Sequence, residues 1–218
     1  MNKYNGKIIS VDSNGIVTIK ARINNIDKFI GNGNRFVSIE LIDNRKISPK
    51  QRNMIWGLIG DISEWVGESK GETNQNMKQE FLVSIGENPE ELFSLSDISV
   101  STAREYQKFL IDFILENGIS TKYNLIDNVD DVVAYVYSCL IHKKCCVCGN
   151  PCELHHVDRV GMGRDRNEIT HIGMRALPLC REHHTEAHTM TNQDFLDKYH
   201  LTKAIRIDER IGSIYGLG

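Results

Sequence analysis

The chain has 218 residues, enough for one large or two small domains, and a formal net charge of −3. Hydrophobic residues make up 40% and charged residues 25%, as in an ordinary soluble globular protein. No segment approaches the roughly 18 consecutive apolar residues that a membrane-spanning helix needs. Residues 1–6 lack the apolar core of a secretory signal, so we expect a cytoplasmic protein. The negative charge argues against a protein that coats nucleic acid by bulk charge.

The first forty residues alternate between apolar and polar as strands do. Strands are predicted over 7–12 and 16–23, and the Asn-Gly pair at 14–15 is a strong hairpin signal. A third strand is predicted over 35–42, after a glycine-rich turn. The three strands in series predict an antiparallel meander.

Helices are predicted next, because the apolar residues begin to recur with a helical period. We expect four helices, from Ser48 to about Gly67, over about 75–85, from Ser101 to about Gly118, and over about 129–141. Ser48 and Ser101 are the expected N-caps of the first and third helices. Asp127 and Asn128 lie near the expected cap of the fourth, and the polar stretch 70–75 is predicted to be a loop.

The composition shifts at His142, directly after the fourth helix, and this is the predicted domain boundary. The sequence therefore predicts an α+β protein with domains over 1–141 and 142–218 that pack together. Residues 1–140 hold 15 Lys and Arg against 19 Asp and Glu, which disfavours a large basic DNA surface there. Between His142 and Glu182 seven basic residues face five carboxylates, a modest excess that permits a phosphate-facing surface.

All six cysteines fall between Cys139 and Cys180. A disulfide-stabilised secreted protein would spread its cysteines over the whole fold. Short spacings beside histidines, in a chain with cytoplasmic features, favour metal binding instead.

Two pairs of potential ligands share a spacing of two intervening residues. Cys145 and Cys148 lie in a C-x2-C-G turn, and Cys180 and His183 repeat the spacing about thirty residues later. Such pairs can complete one tetrahedral Cys3His zinc site. Cys146 and Cys152 lie close enough to be alternative ligands, but Cys145 and Cys148 are the expected pair.

Histidines accompany these pairs. His155 and His156 form a doublet on a predicted strand, where neighbouring side chains face opposite sides, so one imidazole could bind a metal while the other points elsewhere. His184 and His188 share one face of a predicted helix. We expect His188 to be a helix-face residue or a support for a ligand, and the role of His171 stays open.

The C-x2-C-G turn, the H-H-V doublet and the L-C-x2-H-H segment together resemble the HNH endonucleases, over roughly 143–188. The resemblance implies a ββα-metal domain that is stabilised by a structural zinc ion and cuts nucleic acid. It implies that His155 and His184 bind a catalytic Mg2+ or Mn2+ ion, and that His156 is the general base that deprotonates water.

The chain departs from this family at the central Asn, expected about five residues before the second-pair cysteine. Arg175 stands there, and Asn167 and His171 lie upstream, so the orienting role is unassigned. Three arginines are candidates for contacts with flanking phosphates: Arg164, Arg166 and Arg175. The zinc set also differs, since His183 replaces a fourth cysteine.

The stretch 48–63 resembles the signature helix of the lambda Orf (NinB) recombination mediators, and 101–105 begins a similar helix order. The resemblance implies a mediator module fused to a nuclease of phage recombination, with single-stranded or branched DNA as substrate. It also implies single-strand-binding protein as a partner and a homodimer. The rival reading is a non-catalytic module that binds DNA and single-strand-binding protein; a packaging-associated nuclease is disfavoured.

Overall fold

The computed structural model describes residues 4–30, 33, 36–37, 39, 43–158 and 171–217. In this part of the chain no helix has the length and apolar character needed to cross a membrane. The chain divides into two compact units, Met1–Ile42 and Asp43–Gly218.

The first unit contains a β-hairpin, as predicted. Strands β1 (Gly6–Val11) and β2 (Val17–Ala21) pair antiparallel, with a bulge between Ile8 and Ser10, and a short helix α1 (Asp27–Ile30) follows. Gly15 in the turn has a φ of +79°, a left-handed conformation that glycine adopts without strain. The prediction of a third strand over 35–42 falls mostly outside the described residues, and none of its described positions is assigned to a strand.

The second unit opens with four helices: α2 (Pro49–Val66), α3 (Lys70–Ser84), α4 (Val100–Asn117) and α5 (Val132–Ile141). Helix α2 has the predicted ends. Ser48 and Gln51 form a reciprocal capping box at its start, and Gly67, with φ +83°, ends it in a left-handed turn.

The loop prediction for 70–75 was wrong, because these residues form the first turns of α3. Ser69 accepts a hydrogen bond from the Glu72 amide, and the Glu72 carboxylate accepts one from the Ser69 amide. This capping box satisfies amides that would otherwise lack partners, so a polar sequence begins a helix here.

Two other predicted caps were displaced by a few residues. Helix α4 is capped by Ser99, while the Ser101 hydroxyl donates to the Asp43 carboxylate instead. Helix α5 is capped by Asp131, because the predicted cap region 125–128 forms a turn of 3-10 helix. In both cases another polar residue nearby acts as the cap, because its backbone is extended or its side chain reaches a free amide at the helix start.

The C-terminal part of the second unit is a small sheet with helices around it. Its elements are β3 (Glu153–His156), β4 (Arg175–Leu179), α6 (Arg181–Ala187), α7 (Asn192–Lys198), β5 (Ile205–Arg206) and α8 (Glu209–Tyr215). The sheet is antiparallel with strand order β3-β4-β5, and His155 pairs with Leu177 in the register. Helix α6 starts directly after β4, so strand, strand and helix follow in the expected order. The described chain is thus a mixed α/β protein with two small antiparallel sheets.

One hydrophobic core runs through the second unit. Helix α2 packs on α3 and α4, α4 packs on α5, and α5 contacts β4, β5 and α8. Leu140 of α5 and Ala176 of β4 are both fully buried in this core. The predicted boundary at His142 lies within this unit, and the division into two domains there stays a prediction.

Candidate functional site

A tight turn presents the first cysteine pair. The Gly149 amide donates to the Cys145 carbonyl at 2.8 Å, and the Cys145 amide donates to the Asn150 carbonyl at 2.7 Å. Gly149 has a φ of +73°, so the turn needs a residue that tolerates the left-handed region. The chain therefore folds back on itself with both thiols on the same side.

Four ligand atoms meet beside this turn, from Cys145, Cys148, Cys180 and His183, all within 4.8 Å of one another. The Sγ atoms of Cys148 and Cys180 are 3.7 Å apart, and Cys145 Sγ lies 3.6 Å from His183 Nδ1. Zinc bonds of about 2.3 Å to sulfur and 2.0 Å to nitrogen, in a tetrahedron, imply separations of roughly 3.5 to 3.8 Å. The donor set and its spacing therefore fit one tetrahedral zinc ion.

The two alternative cysteines lie outside this group of ligand atoms. Cys146 is fully buried, and burial raises the pKa of its thiol well above the usual range. Cys152 has its Sγ 3.3 Å from the Tyr215 hydroxyl, and burial raises its pKa to about 11. Both thiols are therefore engaged in packing or hydrogen bonding around the ligand group.

A second group of potential ligands is made of three histidines. One nitrogen each of His155, His184 and His188 lies within 4.8 Å of the others, and the ring centroids are 4.9 to 5.1 Å apart. His155 comes from β3, while His184 and His188 lie one helical turn apart on and just after α6. The sequence had placed His188 outside the ligand pair, and the structure brings it into the group.

His155 is only 4% exposed. Its pKa is lowered to about 4, mainly by burial and further by the neighbouring His184 and His188. At neutral pH the ring is therefore uncharged and keeps a nitrogen lone pair, which is the form that binds a metal ion. The three-histidine group fits a divalent cation with open positions for water or phosphate oxygens.

His156 does not join this group, although it adjoins His155 on the strand. Its Nε2 lies 3.0 Å from Nδ1 of His171, and the two rings are 4.9 Å apart. Burial, and then His171, lowers the pKa of His156, so its ring is neutral at neutral pH. The structure thus gives His171 a direct contact with the predicted general base.

Of the three predicted phosphate-binding arginines, Arg164 and Arg166 lie outside the described residues, as does Asn167. Arg175 contacts Asp158 through both its main chain and its side chain. Its amide donates to Asp158 Oδ2 at 2.6 Å, and its Nε donates to Oδ1 at 2.8 Å. The pair joins the end of β3 to the start of β4, a role that the sequence did not reveal.

Helix α6 links the two candidate metal centres. His183 and His184 are consecutive residues, yet the first contributes to the Cys3His group and the second to the three-histidine group. Cys180 is the N-cap residue of the same helix. The position of one centre therefore constrains the position of the other.

Comparison with known proteins assigns the chain to a family. A family model described as "Putative HNHc nuclease" matches residues 17–218, nearly the whole chain. Searches among curated proteins and among solved structures gave no match. An HNH family implies a metal-dependent nuclease with DNA as its substrate, and the two groups of potential metal ligands are consistent with this. The chain therefore belongs to the HNHc nuclease family.

Proposed function

We propose that the protein is a metal-dependent endonuclease that hydrolyses phosphodiester bonds in DNA, with His156 as the general base. The observation that carries this proposal is the gathering of His155, His184 and His188 around one point, next to a neutral His156. These are the groups that water activation and phosphate binding require.

The three histidines would hold the catalytic cation, Mg2+ or Mn2+. When bound, the ion would polarise the scissile phosphate and stabilise the departing 3′-oxygen. Imidazole nitrogen suits Mn2+ better than Mg2+, whose preferred ligands are oxygens. The burial of His155 supports this assignment, because it keeps the ring neutral at working pH.

His156 would take a proton from the attacking water as the new P–O bond forms and the P–O3′ bond breaks. If its Nε2–H donates to His171 Nδ1, its own Nδ1 is left free to accept that proton. His171 would then orient the base, the role that the family pattern gives to its central Asn. The 3.0 Å contact supports this assignment.

The Cys3His group would hold a structural zinc ion. Four protein ligands leave no open position for substrate, as in structural rather than catalytic zinc sites. Desolvation and the neighbouring cysteines raise the pKa of the Cys148 thiol, and a bound cation would favour the thiolate that ligates zinc.

A place in phage recombination belongs to the same proposal. It rests on the likeness of 48–63 to the Orf mediators, a stretch that forms most of α2. Single-stranded or branched DNA, single-strand-binding protein as a partner, and a homodimer follow from that likeness. Arg164 and Arg166 remain the proposed phosphate contacts. Arg175 would contact phosphate only if its hydrogen bonds to Asp158 broke.

The test uses the zinc-loaded full chain with supercoiled, single-stranded and branched DNA, in Mg2+ or Mn2+. We expect His156→Ala to lower cleavage by about 100- to 10,000-fold, the range for loss of a general base, while Mn2+ affinity is retained. His155→Ala should lose both cleavage and Mn2+ binding. Cleavage that survives His156→Ala would contradict the mechanism, and a wild type that binds DNA and single-strand-binding protein without cutting would favour a non-catalytic mediator.

A further inference from the structure

Glu153 contacts one of the three clustered histidines from outside the group. It is the first residue of β3, and its side chain is 56% exposed. Its Oε2 lies 3.1 Å from Nδ1 of His184 on α6. The contact therefore spans the strand and the helix that together carry the three-histidine group.

The spacing along β3 explains why this carboxylate reaches α6. Glu153 and His155 are two residues apart, so a strand presents both on one face. The ring of His155 contacts both His184 and His188. Glu153 is therefore on the α6 side of the strand.

The role of Glu153 differs from that of a ligand. Among the residues that the structure describes, the group whose ligand atoms lie within 4.8 Å of one another contains the three histidines and excludes Glu153. A carboxylate only accepts hydrogen bonds, so His184 must present Nδ1–H to it. That tautomer leaves the Nε2 lone pair free for a metal ion.

We infer that Glu153 is a positioning residue for the metal centre, which selects the Nδ1–H tautomer of His184 and holds its Nε2 ready to bind the cation. The inference rests on the proposed function, since it concerns the same cation. A neutral imidazole free in solution can exchange between its two tautomers, and only one of them presents Nε2. By holding that form, the carboxylate strengthens binding without touching the ion.

The test measures Mn2+ binding by calorimetry on the zinc-loaded full chain, together with the protonation of the His184 ring nitrogens by 1H–15N NMR without Mn2+. Wild type is compared with Glu153→Ala and with Glu153→Gln, whose amide oxygen still accepts a hydrogen bond. Glu182→Ala is the matched control, because it removes an exposed carboxylate from the first turn of α6. Zinc content and melting temperature report the integrity of each variant.

We expect Glu153→Ala to weaken Mn2+ binding by about 10- to 100-fold, the usual effect of losing such a partner, and Glu153→Gln to restore part of the affinity. The NMR spectrum should show Nδ1–H on His184 in wild type and Nε2–H in Glu153→Ala. The inference is overturned by equal Mn2+ affinity in Glu153→Ala and Glu182→Ala, or by Nε2–H in the wild type. The wild-type spectrum decides the matter even if the alanine variant fails to load zinc, whereas a wild type without Mn2+ affinity overturns the proposed function itself.

Discussion

At the scale of single residues, the candidate centre depends on side chains that hold other side chains. His171 contacts the proposed base, and Asp158 binds Arg175. Neither His171 nor Asp158 belongs to the Cys3His group or to the three-histidine group. Each of these contacts joins residues on opposite sides of the 159–170 segment. Partners of this kind set the geometry of the reacting groups, and small displacements of such groups cost large factors in rate.

Arg175 gives a prediction at this scale, because its contact with Asp158 competes with a contact to phosphate. We expect Arg175→Ala and Asp158→Ala to lower the melting temperature and the cleavage rate by similar, modest amounts, since each removes the same link between β3 and β4. The dependence of DNA affinity on salt should stay unchanged. Loss of a phosphate contact would instead lower the slope of log affinity against log salt by about 0.9.

DNA affinity measured over a range of salt concentrations checks this prediction. A reduced slope in Arg175→Ala, with a normal slope in Asp158→Ala, would return Arg175 to the phosphate-binding role that the sequence suggested.

At the scale of elements, α6 is the part that both centres share. A helix of only seven residues has little stability of its own in water, so tertiary contacts must hold it in place. Ligation of Cys180 and His183 would fix its first turn, and the next residue, His184, would be fixed with it. We therefore expect zinc to be required for the three-histidine centre.

Replacement of one zinc ligand tests this dependence. Cys148→Ser should lose zinc and, with it, at least about tenfold in Mn2+ affinity, because the loss of the anchor releases α6. Cys152→Ser is the matched control, since its sulfur lies outside the ligand group and a serine can still hydrogen-bond to Tyr215. Zinc content by atomic absorption and Mn2+ affinity by calorimetry are the measurements. Zinc loss in the control instead of in Cys148→Ser would show that the ligand set is different.

A second prediction at this scale concerns the link between α4 and the residue after α5. Asp112 on α4 accepts hydrogen bonds from Lys108 and His142. Burial alone would raise the pKa of this carboxyl, but these bonds outweigh it and lower the pKa to about 2. A pKa below the ordinary 3.8 means that the ionised form stabilises the fold above about pH 4. This contribution is lost as the pH falls toward 2.

We expect Asp112→Asn to lower the free energy of unfolding at neutral pH by about 2 kcal/mol, because the amide cannot carry the charge that the folded state stabilises. The difference from wild type should shrink as the pH falls from about 4 to 2. Glu116→Gln, an exposed carboxylate one turn further along α4, serves as the control. Urea unfolding at several pH values measures both effects, and a difference that stays constant with pH would contradict the assignment.

At the scale of the whole molecule, the second unit combines the helices and the two candidate metal centres in one core. Burial is continuous from Ile59 of α2, through Tyr106 of α4 and Leu140 of α5, to Leu179 of β4. Apolar burial on this scale is the main stabilising contribution to folding, so the parts should unfold together. The helices therefore serve as the support on which the small sheet and α6 are held.

Leu140→Ala tests this cooperativity, because the side chain is fully buried on α5, the helix that contacts β4 and β5. The cavity should lower the free energy of unfolding by about 2 to 5 kcal/mol. Tryptophan fluorescence, from Trp56 and Trp65 on α2, should report the same transition as zinc release, in wild type and variant alike. Leu92→Ala, at a 38% exposed position, should have little effect. Two separate transitions would support independent domains that meet at His142.

Several elements could be predicted because their signals are local. The cap at Ser48, the stop at Gly67 and the hairpin turn at Gly15 depend on residues within one turn of each other. The caps of α4 and α5 were displaced because more than one polar residue near each helix start could serve. Helix α3 was predicted too short because its first turn is polar, and the capping box of Ser69 and Glu72 outweighs that pattern.

The amino-acid sequence by itself determined which residue types are available for metal and at what spacing: two pairs of potential zinc ligands, a histidine doublet and two histidines one turn apart. Only the tertiary structure decided which of them meet. The β3–β4 register and the packing of α6 bring Cys145 and Cys148 together with Cys180 and His183, bring His188 into the three-histidine group and place Glu153 against His184. The physical reason is that spacing along a chain specifies contacts within one turn or strand. Contacts between segments depend on the register and on the core that all the elements share.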